Sequence, residues 1–269
     1  GNCPIESYQA AMECTHYLRD GNGPALVHAY VTRPYSHSLS DDHSKYRTKE
    51  ELEAERKVDV INSFPRFLLE AGLFTNEEIE VLKDQAAAEV REAMERALNT
   101  PWPENSTVAD HLLSPTVDMS SAAFDVAPVW TGKDDNPMAA TINKVLRTEF
   151  NRNYLLRMFG EDVADFSEEE KLNIDYLKGK GGVFSITKNV QRESLPGQVF
   201  NSPLAEANII GRAIGQALRG IKPVVEIQFF DYIWTAFMQL KNEMATLRYR
   251  SGGDFKCPMV IRAAIGGYL

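Results

Sequence analysis

Cysteine is scarce in this chain, and long apolar runs are missing altogether. Three cysteines, Cys3, Cys14 and Cys257, occur in 269 residues, an odd number with no CxxC spacing. That pattern speaks against a disulfide framework or a zinc site and fits a reducing compartment. No apolar run approaches the ~18 residues of a membrane span, and no charged-then-apolar leader opens the chain, so a cytoplasmic protein with no membrane partner is expected. Basic charge is also short: 29 Lys and Arg stand against 38 Asp and Glu, for a net charge of −9 and a pI near 5.2. Without a basic face to neutralise phosphates, nucleic acid is not an expected partner. The cluster Arg248-Tyr249-Arg250 reads as a helix terminus complementing its own dipole. No GxSxG elbow follows any apolar run, which sets aside a Ser-His-Asp hydrolase.

What the chain does contain is a rhythm of helices and short apolar runs. Ser7 to Asp20 carries helical spacing and ends at the breaker Gly21-Asn22-Gly23-Pro24. Ala25 to Val31 is β-leaning and poor in charge, as a strand covered on both faces would be. It opens into a loop from Arg33 to Asp42 rich in Ser and Asp, with His37 at its centre. Pro65 is expected near the start of a helix ending before Gly72. Thr75-Asn76-Glu77-Glu78 has capping-box form, and Ile79, Leu82, Ala86, Val90, Ala93 and Ala97 then recur at helical steps that predict a core-facing stripe.

Pro101 and Pro103 stop that helix, and an aperiodic stretch to Pro137 reads as a linker. The division expected is therefore residues 1–100, a linker at 101–137, and a second unit at 138–269. In the second unit a helix through Phe150 leads to the apolar run Tyr154–Phe159. A capping-box candidate follows at Ser167–Glu170, then a flexible turn at Gly179–Gly182. A helix from Pro203 to Leu218, a strand from Val224 to Phe230 and a helix from Tyr232 to Arg250 complete an α/β pattern with a parallel sheet and helical cover. Gly211 and Gly215, four apart, permit close backbone approach on the first of these helices.

Two sets of residues could carry chemistry. His37, among Ser36, Ser38, Ser40, Asp41 and Asp42, is either a capped turn or a titratable group at a polar pocket edge. Glu206, in the first turn of an otherwise apolar helix, is either a partner of the helix dipole or a carboxylate held in an apolar site to bond a ligand nitrogen. Glu161, Gln228 and Asp231 end apolar runs, as ladder caps or pocket lining.

Longer words in the sequence bear on that choice. Arg33, His37-Ser38, Ser40-Asp41-Asp42 and Tyr46-Arg47 resemble the C-terminal part of the alpha subunit of thiamine-diphosphate-dependent 2-oxoacid dehydrogenases, the decarboxylating component. Gly160-Glu161-Asp162-Val163, Gly181 to Phe184, Val199 to Glu206, Glu226 to Tyr232 and Arg248 to Gly253 resemble the start of the beta subunit. The resemblance implies a transketolase-like α/β fold of parallel sheets with helical layers, incomplete at both ends, in a fused alpha/beta chain of branched-chain type. It implies thiamine diphosphate and Mg2+ as cofactors, the metal ligands lying before residue 1, and an isolated chain that does not turn over. Glu206 would bond the aminopyrimidine, favouring the tautomer that activates the thiazolium. Tyr232, Glu161, Leu204 and Gln228 would line its pocket. His37 would assist acyl transfer to the lipoyl domain of a dihydrolipoyl acyltransferase, and Ser38 matches a serine that regulatory kinases modify. The substrate implied is a branched-chain 2-oxoacid such as 2-oxoisovalerate, with pyruvate as the alternative, and the assembly a homodimer or larger. An assembly module without catalysis is the competing reading. The segment between Val163 and Gly181 is longer than in the family resembled.

Overall fold

The computed structural model describes residues 1–118, 120–125, 127 and 136–266, and the chain divides into two compact units, Gly1–Trp102 and Pro103–Leu269. Part of the expected linker lies outside the described residues; within its described part, Asn105–Ala109 and Ala122–Phe124 form short 3-10 turns.

In the first unit, helix α1 spans Pro4–Arg19, with Pro at its first position and Gly21 at φ +77° just past its end. Residues 25–31 do not form the expected strand. A strand is stable only against a neighbouring strand, and among the described residues this unit contains no other; Leu26 is 91% exposed. Helix α2, Lys49–Val58, starts from a complete Thr48–Glu51 capping box. Helix α3 runs Val60–Glu70 from an Asp59 cap, so Pro65 lies inside it rather than near its start. Asp59 supplies the N-cap bond to Ile61 and so sets the helix start earlier than the proline suggests.

Helix α4, Asn76–Asn99, opens on the expected Thr75–Glu78 capping box, both bonds made. Its stripe is not core, however. Ile79 is its buried residue, while Leu82, Val90 and Leu98 are exposed. Periodicity specifies the helix; burial of its face needs a partner surface that the described residues of this unit do not supply.

The second unit is a four-stranded, wholly parallel sheet. Helix α5, Met138–Arg152, precedes β1, Leu156–Gly160; the short α6, Val190–Glu193, precedes β2, Val199–Asn201; α7, Glu206–Leu218, leads to β3, Lys222–Phe229; α8, Leu247–Arg250, precedes β4, Val260–Ala264. The spatial order is β2-β1-β3-β4. Successive residues of β1 and β3 supply opposite cores, as the two-residue strand period requires. Phe159, Val225 and Ile227 pack with Ile209, Ile210, Ala213 and Ile214 of α7. Met158 and Val224 pack with Phe150, Val163, Val190 and Val199 on the other face. Strands apolar on both faces and covered by helices are the signature of a parallel sheet.

Three local expectations change. The segment after β3 is not one long helix but a 3-10 stretch, Phe230–Ala236, a π stretch, Gln239–Met244, and then α8. The Ser167 capping box does not form; Glu168 precedes a short 3-10 turn, Glu169–Asn173, without a side-chain cap. Gly215 meets no backbone partner, since a Cβ there would find nothing within 4 Å.

Candidate functional site

Parallel α/β sheets concentrate loops, and therefore chemistry, beyond the C-terminal ends of their strands. Glu161 follows directly on β1, Leu204 and Glu206 follow β2, Gln228 is the penultimate residue of β3, and Tyr232 lies one turn beyond it. The fold thus gathers the five residues expected to form a pocket at one edge of one sheet.

Gly160 makes the approach of β1 to β3 possible at this edge. It pairs with Glu226, and a Cβ in its place would lie 2.6 Å from the Glu226 carbonyl and 3.1 Å from Val163 Cγ1. Next to it, the Glu226 carboxylate, 3% exposed, forms an ion pair with Arg262 across β3 and β4. Two opposite charges in register on neighbouring strands offset part of the burial cost that either alone would carry. Burial pushes the Arg262 guanidinium below its ordinary range.

Glu206 is the first residue of α7 and is half-buried, not enclosed. Its apolar neighbours in sequence do not bury it: Leu204 is 69% exposed and Tyr232 46%. The Thr235 hydroxyl lies 3.0 Å from Glu206 Oε2 and 2.8 Å from the Tyr232 carbonyl oxygen, and its single proton serves one of them at a time. Glu206 therefore stands where a carboxylate complements the helix N-terminus and presents an acceptor to solvent; the apolar enclosure expected of it does not form in this structure. Tyr232 is fixed by aromatic packing, edge-on to Phe229 at 5.5 Å between centroids, and Phe229 is edge-on to Phe184 at 5.8 Å. Glu161 and Gln228 are half-buried.

His37 and Ser38 belong to the first unit, on an exposed loop. The His37 backbone N–H donates to Asp41 Oδ2 at 2.8 Å, and Tyr46 donates its hydroxyl to the same oxygen at 2.7 Å. The Tyr46 hydrogen bond, with the His37 amide and the Arg33 charge behind it, holds the Asp41 carboxyl below its ordinary range. Ser38 Oγ lies 3.1 Å from Ser40 Oγ. Asp41 thus shapes the turn that presents His37, whose imidazole is exposed and makes no hydrogen bond among the described residues.

Reasoning from sequence did not single out Thr235, and it met Gly160 and Asn201 only as letters of the longer words that carry the resemblance, with no role of their own. Thr235 had no signal, because its role depends on how the 3-10 stretch folds back to α7. Among the described residues, no group of three or more His, Cys, Asp or Glu is arranged to hold a metal ion, and no helix is long and apolar enough to cross a membrane.

Comparison with known proteins bears on both units. Residues 1–106 match the family model described as dehydrogenase E1 component, and residues 136–268 match that of the transketolase pyrimidine binding domain. The chain is 44% identical over 110 residues to a 2-oxoisovalerate dehydrogenase subunit beta of Pseudomonas aeruginosa, covering 41% of this chain and 27% of the relative. It is 38% identical over 130 residues to the pyruvate dehydrogenase E1 component subunit beta of Bacillus subtilis, and 37% to that of Staphylococcus epidermidis, in each case covering 48% of this chain and 36% of the relative. The chain thus spans roughly a third of the length of these relatives. The matched pair of models indicates thiamine diphosphate, typically with Mg2+, as the cofactor. The described residues of the stretch matched as a transketolase pyrimidine-binding domain, 136–266, form a parallel α/β domain of that type, in a chain whose first 106 residues match the dehydrogenase E1 component.

Proposed function

We propose that this chain is part of a thiamine-diphosphate-dependent 2-oxoacid dehydrogenase, the component that decarboxylates the oxoacid and passes the acyl group to a lipoyl domain of an acyltransferase. The observation that carries the reading is the gathering of Glu161, Leu204, Glu206, Gln228 and Tyr232 at the C-terminal edge of the sheet in the domain matched as pyrimidine-binding. Residues 1–100 act as the alpha-type part, 101–137 as a joint and 138–269 as the beta-type part of a fused chain.

The residues fit an aminopyrimidine. Glu206 keeps one carboxylate oxygen without a hydrogen bond among the described residues, since Thr235 engages only Oε2. Tyr232 offers an aromatic ring held upright by Phe229, and Gln228 and Glu161 supply polar edges. When bound, thiamine diphosphate supplies the carbanion that decarboxylation requires. Glu206 would accept a hydrogen bond from the ring nitrogen and so favour one tautomer, with the Tyr232 ring and Leu204 offering exposed apolar surface beside that contact. His37, exposed on its loop, donates or accepts a proton during acyl transfer, and Ser38 is the site where phosphorylation adds charge to the same loop.

A branched-chain oxoacid such as 2-oxoisovalerate is the proposed substrate, supported by the 44% identity to a 2-oxoisovalerate enzyme against 38% to a pyruvate enzyme. A homodimer or larger assembly in a bacterial cytoplasm is the proposed setting. The test is Glu206→Gln in the complete enzyme. Turnover should fall by about a hundredfold or more while circular dichroism is unchanged; retained turnover refutes the role of Glu206. Ratios of kcat/KM for 2-oxoisovalerate and pyruvate decide the substrate.

A further inference from the structure

The loop that carries Glu161 and the loop that carries Leu204 and Glu206 leave adjacent parallel strands, with Gly160 opposite Asn201. Nothing in sheet pairing holds them together beyond that point except Ser202 N–H donating to the Gly160 carbonyl at 2.8 Å. Asn201 continues the connection with its side chain. Its Oδ1 accepts from the Ala164 backbone N–H at 2.8 Å, and its Nδ2 donates to Ser167 Oγ at 3.0 Å. Ala164 is 1% exposed, so without Asn201 its amide would be a buried donor with no partner.

The far side of the same loop is fastened independently. Gln191 bonds both the N–H and the carbonyl of Phe166, at 2.9 and 3.0 Å. Arg192 donates to the carbonyls of Leu172 and Leu177, and its guanidinium stands 5.3 Å over the Phe166 ring. Thr187 Oγ1 donates to the Val163 carbonyl at 2.7 Å. The loop after β1 is therefore a fixed strap from Ala164 onward, and Asn201 is the side chain that ties the β2 end to it.

We propose that Asn201 is a positioning residue of the pyrimidine-side site: its carboxamide couples the Glu161 loop to the Leu204–Glu206 loop and so sets the spacing of the groups that face the ring. The proposal rests on the reading of this edge as the pyrimidine pocket. Asn201 touches neither substrate nor cofactor; it acts through the two loops.

The experiment uses the complete enzyme with three variants, Asn201→Leu, Asn201→Asp and Ser167→Ala, and two readouts: amide hydrogen exchange without cofactor, and the concentration of thiamine diphosphate that half-saturates turnover. Asn201→Leu removes both bonds and should speed exchange by about tenfold or more in both loops, 161–167 and 202–208, with Val224 to Ile227 unchanged. Half-saturation should rise by a similar factor. Asn201→Asp keeps the acceptor for Ala164, and the Ser167 hydroxyl can turn to donate, so it should restore both readouts to within about threefold. Ser167→Ala should speed exchange at 165–168 and leave 202–208 as it was. Unchanged exchange at 202–208 in Asn201→Leu overturns the proposal, as does an Asn201→Asp variant no better than the leucine. If Asn201→Leu does not fold, Asn201→Ala, which removes the same two bonds, takes its place, and unchanged exchange at 202–208 in that variant overturns the proposal equally. The outcome is separable from the pocket reading, because that reading fails only when Glu206→Gln keeps its turnover, whatever the exchange pattern.

Discussion

Replacing Gly160 by alanine should destabilise the second unit, whereas the same change at Gly215 should stabilise it. At Gly160 the new methyl would sit 2.6 Å from the Glu226 carbonyl oxygen and 3.1 Å from both Glu226 Cβ and Val163 Cγ1. Two of those neighbours belong to β3, which is paired to β1 through five registered positions, so the strands must part or the methyl must strain. Overpacking of this kind costs about 1–3 kcal/mol, and the gain from removing a strand glycine returns about 0.5–1 kcal/mol. The net loss expected is about 1 kcal/mol, or roughly a fivefold increase in the opening equilibrium. Gly215 lies within α7, is exposed, and has no atom within 4 Å of a built Cβ. There the helix propensity of alanine acts alone and adds about 0.5–1 kcal/mol. Hydrogen exchange of the slowest amides in β1 and β3, followed through a denaturant series, reads each change on the sheet itself and leaves the first unit out of the measurement. The signs are opposite, which makes the comparison decisive. A Gly160→Ala variant as stable as the parent chain would refute the argument that this glycine exists for the close approach of β1 to β3.

Further expectations concern caps and charge. Thr75→Ala removes one half of the α4 capping box, and that helix should lose about 1 kcal/mol, read as faster exchange over residues 76–82 with the end at Asn99 unaffected. Asp165, 3% exposed, has Oδ1 bonded to the Asn189 amide at 3.0 Å, and burial raises its carboxyl above the ordinary range against the lowering pull of the Asn189 and Arg192 backbone amides. A raised folded-state value means that protonation favours the fold. The strap around Asp165 is therefore most stable below the ordinary aspartate value, and that contribution is lost as pH rises through the elevated one. Asp165→Asn keeps an acceptor for Asn189 and should abolish this pH dependence, making exchange at 164–168 slower than in the parent at neutral pH; equal pH profiles in the two proteins would contradict it.

Much of the fold was legible in the sequence because it is written in local terms. The Thr75–Glu78 box, the period of α4, the breaker after α1 and the doubly apolar runs of β1 and β3 each name their own secondary structure. Glu161, Glu206, Gln228 and Tyr232 could be placed at the ends of those elements for the same reason. Tertiary structure decided what local terms cannot carry. The apolar stripe of α4 and the β-leaning run 25–31 state a preference for burial and pairing, but only a neighbouring surface realises it, and the described residues of the first unit provide none. The enclosure of Glu206 was likewise not its own to determine: Leu204 and Tyr232 are apolar in sequence and exposed in space. Thr235 beside Glu206, Asn201 between two loops and Arg262 against Glu226 are separated in sequence by 29, 34 to 37 and 36 residues, and only the parallel crossover that sets strand order β2-β1-β3-β4 brings them together.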